Sequence, residues 1–180
     1  MLRGNRKYEE ALECYEKCRE EYEDVPSLYY GIGDCYVHMG KRQEAIPLFE
    51  KMLELDPEDA RANDMLTDIY SWLLENKRDK KYLEKGIVHA DRQLELTQEA
   101  YYYIARGILY LNGCVWDKAE ADFMEAAKLD PENGYAYGNA GRTFRYQGQY
   151  EQARKMLEKA FQLGKDEDVY KRQAVQCQNQ

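Results

Sequence analysis

Apolar positions along the 180-residue chain recur at steps of three and four, the helical period, rather than at steps of two. In "YAYGNAGRTFRYQGQYEQA", residues 135–153, Tyr137, Phe144, Tyr146 and Tyr150 are read as an apolar helical pattern, yet Gly138, Gly141 and Gly148 interrupt it. Each interior glycine costs about 1 kcal/mol of helix stability relative to alanine. The pattern recurs in "SLYYGIGDCYVHMGKRQEAIPLFEKMLELDP", residues 27–57, and in "YYYIARGILYLNGCVWDKAEADFMEAAKLDP", residues 101–131. Gly33, Gly107 and Gly141 fall in register, as do Tyr36, Tyr110 and Phe144. Ala45, Ala119 and Ala153 follow, and then Phe49, Phe123 and Leu157.

Self-similarity at about 34 residues predicts a helix–turn–helix unit used repeatedly. Each unit is expected to be two antiparallel helices, the aligned glycine of the first facing the aligned alanine of the second. Two small residues would let the backbones approach more closely than the usual ~8–10 Å between axes, and packing would offset the propensity cost. Gly40, Gly113 and Gly148 stand where the first helices should stop and suit the left-handed position beyond a helix end. Pro57 and Pro131 close two second helices, because a residue before proline is pushed out of the helical region.

These positions closely resemble the tetratricopeptide repeat. Tyr29, Gly33, Tyr36, Ala45, Phe49 and Pro57 carry the likeness in one unit, and Tyr103, Gly107, Tyr110, Ala119, Phe123, Ala126 and Pro131 in another. The resemblance covers residues 7–164. It implies an all-α fold, a right-handed αα-superhelix of antiparallel helix pairs, whose concave face is lined by the first helix of each pair. The expected organisation is a partial repeat at 7–22, with Tyr8, Ala11, Tyr15 and Cys18 in register, and repeats at about 26–59, 60–99, 100–133 and 134–164.

Two places depart from the pattern. In the unit 60–99, Leu66, Thr67 and Tyr70 are in place, but Gly86 comes seven residues late, which marks an insertion near 75–82. Seven residues are close to two helical turns, so the facing of both helices is kept. The first helix is expected to run past Trp72 and Leu74, with "NKRDKK" as a solvated basic turn. Pro47 lies within a second helix, either in its first turn or at a small kink. Residues 165–180 form a tail or a partial capping helix, and both ends are expected to belong to a longer protein.

Lys and Arg total 26 against 34 Asp and Glu, a net charge of −8. That sign opposes attraction to nucleic-acid phosphates or an anionic membrane, so neither is expected as a partner. No apolar run approaches the roughly 18 residues of a membrane span, and the start "MLRGNRKYEE" has no hydrophobic signal segment. Five cysteines without a CxxC spacing suit reduced, partly buried thiols and a cytoplasmic setting.

Chemistry is sparse. "GIG" at residues 31–33 lacks a preceding strand and a third glycine, so no dinucleotide site is read there. Asp34 and His38, four apart, could supply two metal ligands, but no third is evident and an Asp–His contact is the preferred reading. His89, beside Asp91, is placed facing solvent. No serine–histidine–acid arrangement stands out. The chain is therefore expected to have no catalytic residues, no cofactor and no metal.

What remains is surface. In the resembling fold, turn spacing would direct Tyr30, Asp34, Val37 and His38, then Arg61, Asp64, Asp68 and Trp72, toward the concave side. Tyr101, Ile104, Ile108 and Leu111 would follow, then Tyr135, Gly138, Asn139, Arg142 and Arg145. The string is acidic at first, apolar in the middle and basic at Arg142 and Arg145. Aromatic residues and arginine carry most binding energy at interfaces. The expected function is a protein–protein interaction scaffold whose groove binds a peptide or partner protein with an acidic end. Two alternatives are a sensory or regulatory segment of a larger enzyme or signalling protein, and a self-association module acting through exposed terminal helices. The lysine–asparagine clamp by which some family members hold a C-terminal carboxylate is absent. Tyr30 with Asp34, Met65, and Tyr101 with Ala105 occupy its places.

Overall fold

The computed structural model describes residues 2–164, with side chains from residue 7 onward; the tail assigned to 165–180 lies outside the described residues. The described residues form nine helices and no strand. They are α1 (Leu2–Glu21), α2 (Pro26–His38), α3 (Arg42–Leu55), α4 (Ala60–Lys77) and α5 (Lys81–Leu96), followed by α6 (Ala100–Asn112), α7 (Trp116–Leu129), α8 (Gly134–Tyr146) and α9 (Tyr150–Gln162). The fold is all-α, of the superhelical class built from helix pairs, and it divides into two compact units at residues 69 and 70.

In the first unit, α2 packs on α3 and α1 on α2. The core holds Ile32, Ala45, Phe49, Met52, Ala62 and Leu66, all fully buried. In the second unit, α6 pairs with α7 and α8 with α9, while α5 packs on α6 and α7 on α8. Its core runs through Leu109, Ala119, Phe123, Ala140, Ala153 and Leu157. Ring stacking of Tyr70 on Tyr82 holds the end of α4 against α5.

The aligned glycines face a different neighbour from the one anticipated. A Cβ on Gly33 would lie 2.7 Å from the Phe49 ring, and one on Gly107 2.6 Å from the Phe123 ring. On Gly141 it would lie 2.7 Å from Leu157 Cγ, with the Ala153 carbonyl next at 3.1 Å. The notch therefore receives the large side chain one turn beyond the alanine. Gly33 and Gly107 make room for a ring, and Gly141 for a leucine side chain with a backbone carbonyl beside it.

The helix ends also revise one assignment. Lys41 N–H bonds the Tyr36 carbonyl and Gly40 N–H bonds that of Val37, and the same pair of bonds joins Gln149 to Phe144 and Gly148 to Arg145. This is the Schellman arrangement, with Gly40 (φ 78°) and Gly148 (φ 76°) in the left-handed position. Between α6 and α7, Val115 bonds Tyr110 and Cys114 bonds Leu111, so the left-handed residue is Cys114 (φ 59°). Gly113 stands one residue earlier at φ −81°, where a Cβ would meet Leu83 at 2.7 Å. Gly113 thus serves close packing.

Asp56 and Asp130, before the two prolines, are extended at φ −141° and −131°, and their carboxylates accept the Glu58 and Glu132 amides. Pro47 sits inside α3, five residues after its first residue, and therefore not in the first turn. The unit with the late glycine has an α4 of 18 residues against 13 in α2, α6 and α8. "NKRDKK" ends α4 and begins α5, with Arg78 at φ 56° in the turn.

Candidate functional site

On α2, Tyr30 meets the Phe49 ring edge-on at 6.1 Å, and the Arg61 guanidinium lies 5.4 Å from the Tyr30 centroid. Arg61 is also bonded to Asp59 at 2.7 Å. Asp59 caps α4, accepting the amides of Arg61 and Ala62. Burial works against this carboxylate, but the Arg61 bond and the two amides outweigh it and hold its pKa below the usual range. Arg61 is therefore engaged at a helix start. His38 stacks on Tyr8 at 4.8 Å, and its Nε2 lies 3.4 Å from Asp34 Oδ1. Asp68 is exposed on α4. No group of three metal-ligating side chains occurs among the described residues.

In the second unit, Trp72 is half-buried on α4. α6 and α8 touch directly. Tyr101 is 52% exposed and meets Tyr102 edge-on, while Ile104 and Ile108 are half-buried against the core. On α8, Tyr135 is 47% exposed. Asn139 donates to the Tyr135 carbonyl at 3.0 Å, and Arg142 donates to Asn139 Oδ1 at 3.2 Å. The Arg145 guanidinium lies 5.4 Å from the Tyr146 ring centroid. Tyr101, Ile104 and Ile108 thus stand on α6, and Tyr135, Asn139 and Arg142 on α8, two helices that touch.

Three features escaped the helical periodicity. The first is a hollow of about 360 Å³ where α4, α6 and α8 end, lined by Glu75, Arg78, Leu111, Trp116, Arg142 and Tyr146 among others. Trp116 and Tyr146 stack at 6.4 Å and 14° beside it. Only Leu111 and Arg142 had been placed on a first-helix face; the others lie in turns and at helix ends, which a face-based reading does not visit.

The second is an ion cluster. Arg106 Nε and Nη2 grip both oxygens of Asp122 at 2.9 and 2.7 Å, and Nη1 reaches Asp91 at 2.7 Å. Asp122 is buried; burial pushes its carboxyl pKa up, against the pull of Arg106. The bonds to Asp122 and Asp91 raise the Arg106 pKa further still. A carboxylate sixteen residues from an arginine has no local signal in sequence.

The third is His89, which does not face solvent as its place on an outer helix suggested. It is half-buried and stacks on Tyr70 at 5.9 Å, and burial, then the Lys85 charge, lowers its pKa. Of the described cysteines, Cys35 is buried while Cys14, Cys18 and Cys114 are exposed, so three thiols are more open than expected. No described helix is long and apolar enough to cross a membrane.

Family models of the tetratricopeptide repeat match residues 2–69 and residues 123–155. The chain is similar to TPR repeat-containing protein MJ1428 of Methanocaldococcus jannaschii, 23% identical over 128 residues, covering 69% of this chain and 23% of that protein. It is also similar to Protein O-mannosyl-transferase TMTC1 of Homo sapiens, 22% identical over 165 residues, covering 92% of this chain and 18% of that one. The chain spans less than a quarter of the length of these curated relatives. Among solved structures, it superimposes on YrrB, a TPR protein with an unusual peptide-binding site, at a TM-score of 0.77 and 26% identity, covering 99% and 87% of the two chains. MamA from Desulfovibrio magneticus RS-1 matches at 0.78 and 21% identity, covering 89% and 88%. TPR proteins generally mediate protein–protein interaction. With helix pairs, notched glycines and two family models in agreement, this chain belongs to the tetratricopeptide repeat family.

Proposed function

We propose that this chain is a protein–protein interaction scaffold that holds a peptide segment of a partner against the faces of its first helices. The observation that carries the reading is that α6 and α8 touch, α6 carrying exposed Tyr101 with half-buried Ile104 and Ile108, and α8 carrying exposed Tyr135 with Asn139 and Arg142. Half-buried aliphatic residues give a peptide apolar surface, and the tyrosines add rigid area at low entropic cost. Arg142 and Arg145 give this end a positive character in a chain of net charge −8, which favours an acidic end on the bound segment. The peptide-binding site of YrrB, on a fold superimposable with this one, supports the same use. Within the first unit, Tyr30, Asp34, His38, Arg61 and Asp68 are proposed as a separate binding face, and Trp72 is proposed to belong to the face of the second unit.

Selection from a random peptide display library on the purified chain tests this. Enriched peptides should contain acidic residues and bind in the micromolar range. The Arg142→Glu, Arg145→Glu double variant should weaken them at least tenfold while circular dichroism stays unchanged. Failure to enrich any sequence, or equal binding by the double variant, refutes the reading.

A further inference from the structure

The five residues by which α4 exceeds α2, α6 and α8 build something those helices do not have. They carry Glu75 and Arg78 to the hollow at the end of α6 and α8, where Arg142 and the Trp116–Tyr146 stack also meet it. Asn112 Nδ2 donates to Ser71 Oγ at 3.3 Å and fixes the end of α6 against α4. The Arg142 guanidinium bonds a neutral amide oxygen on Asn139. Neither Arg142 nor Arg78 has a carboxylate partner among the described residues, although Glu75 lines the same hollow. Arg78 also holds φ 56°, a conformation glycine would adopt at less cost.

Two unneutralised guanidiniums converging on one concavity, in a chain of net charge −8, select an anion. The planar guanidinium fork fits a carboxylate with two parallel bonds. The hollow, at about 360 Å³, admits one or two side chains and no folded element. Leu111 and the exposed Trp116 ring provide an apolar floor beside the charge. Glu75 narrows the choice, because its own charge opposes a phosphate dianion more than a singly charged carboxylate. We infer that this hollow receives the side-chain carboxylate of an aspartate or glutamate in an extended partner segment, with a neighbouring apolar residue resting on the stacked rings. The inference rests on the reading of the chain as a peptide-binding scaffold and gives that scaffold an acidic-residue subsite.

The chain has two tryptophans, Trp72 and Trp116, so a ¹⁵N-labelled sample gives two indole N–H signals, one of which reports on the hollow. The probe is acetylated, amidated Ala-Leu-Glu-Leu-Ala. Its addition should shift the Trp116 signal saturably, and the glutamine version should bind roughly 10-fold more weakly, the loss of one charge-assisted bond. Arg78→Gln and Arg142→Gln should each weaken the glutamate peptide to a similar extent, and Glu75→Gln should strengthen the phosphoserine version.

A Trp116 signal unmoved by the glutamate peptide, or moved equally by the glutamine one, overturns the inference. So does tighter binding of the phosphoserine peptide to the unaltered chain, or of the glutamine peptide with a free terminal carboxylate. If display-selected peptides bind along α6 and α8 while Trp116 stays still, the subsite fails and the scaffold reading stands. If nothing binds anywhere, both fail.

Discussion

Replacing Gly107 with alanine places two opposed effects on one atom. The new methyl would gain about 1 kcal/mol of helix propensity. It would also lie 2.6 Å from Phe123 Cε1 and 2.9 Å from Cδ1, whereas carbon atoms rest ~3.5–4.0 Å apart. The ring must therefore retreat by about 1 Å, and Phe123 is fully buried with Ala119 on its own helix and Leu157 in the same cluster. Overpacking of this kind costs about 1–3 kcal/mol, so the net effect should be a loss of about 1 kcal/mol.

The companion change Phe123→Leu removes the ring and leaves a cavity, with a loss of about 1–2 kcal/mol on its own. In that background the methyl has room, and Gly107→Ala should become neutral or stabilising. Urea unfolding of the four proteins, followed by helical circular dichroism and checked for constant m-values, measures the coupling. A change of sign between the two backgrounds supports the notch. Additivity within about 0.5 kcal/mol, or stabilisation by Gly107→Ala alone, refutes the ring-in-notch reasoning.

Two further outcomes follow from other sites. Cys114→Gly should stabilise the chain by about 1 kcal/mol, since Cys114 holds the left-handed position that glycine fills in the two sister turns; a lower unfolding midpoint would contradict this. His89 should make stability depend on acid. Its folded pKa lies below the unfolded value of 6.5, so the unfolded chain takes up the proton first. The stabilisation is present above about pH 6.5 and is lost as pH falls further. Denaturation midpoints at pH 7 and pH 5 should differ by less in a His89→Phe variant than in the parent chain, and an equal pH dependence would remove His89 as the cause.

The helical pairing was legible because side chains three and four apart repeat with the same chemistry at Tyr36, Tyr110 and Phe144 and at Phe49, Phe123 and Leu157. What entered the glycine notch was not, because register tells which positions are small and not how far a ring reaches across from the facing helix. Glycine's preference for the left-handed region points to Gly113, whereas register points to Cys114, seven residues after Gly107, as Gly40 follows Gly33 and Gly148 follows Gly141. Spacing, not residue preference, sets the left-handed position in this turn. The candidate surface on α6 and α8 could be drawn from turn spacing. The hollow could not, because Glu75, Trp116 and Arg142 come from three separate helices and meet only at their ends. His89 was misplaced for a related reason: an outer helix still turns one side toward its neighbour, and Tyr70 occupies it.

Arg106 works as a rivet through three consecutive helices, joined to Asp91 on α5 and to Asp122 on α7 while standing on α6 itself. In stacked repeats, opening spreads from neighbour to neighbour, and each boundary decides whether it stops. Detaching α7 would strand a buried carboxylate or drag the guanidinium after it, so thermal fraying should pass this boundary in a single step rather than helix by helix.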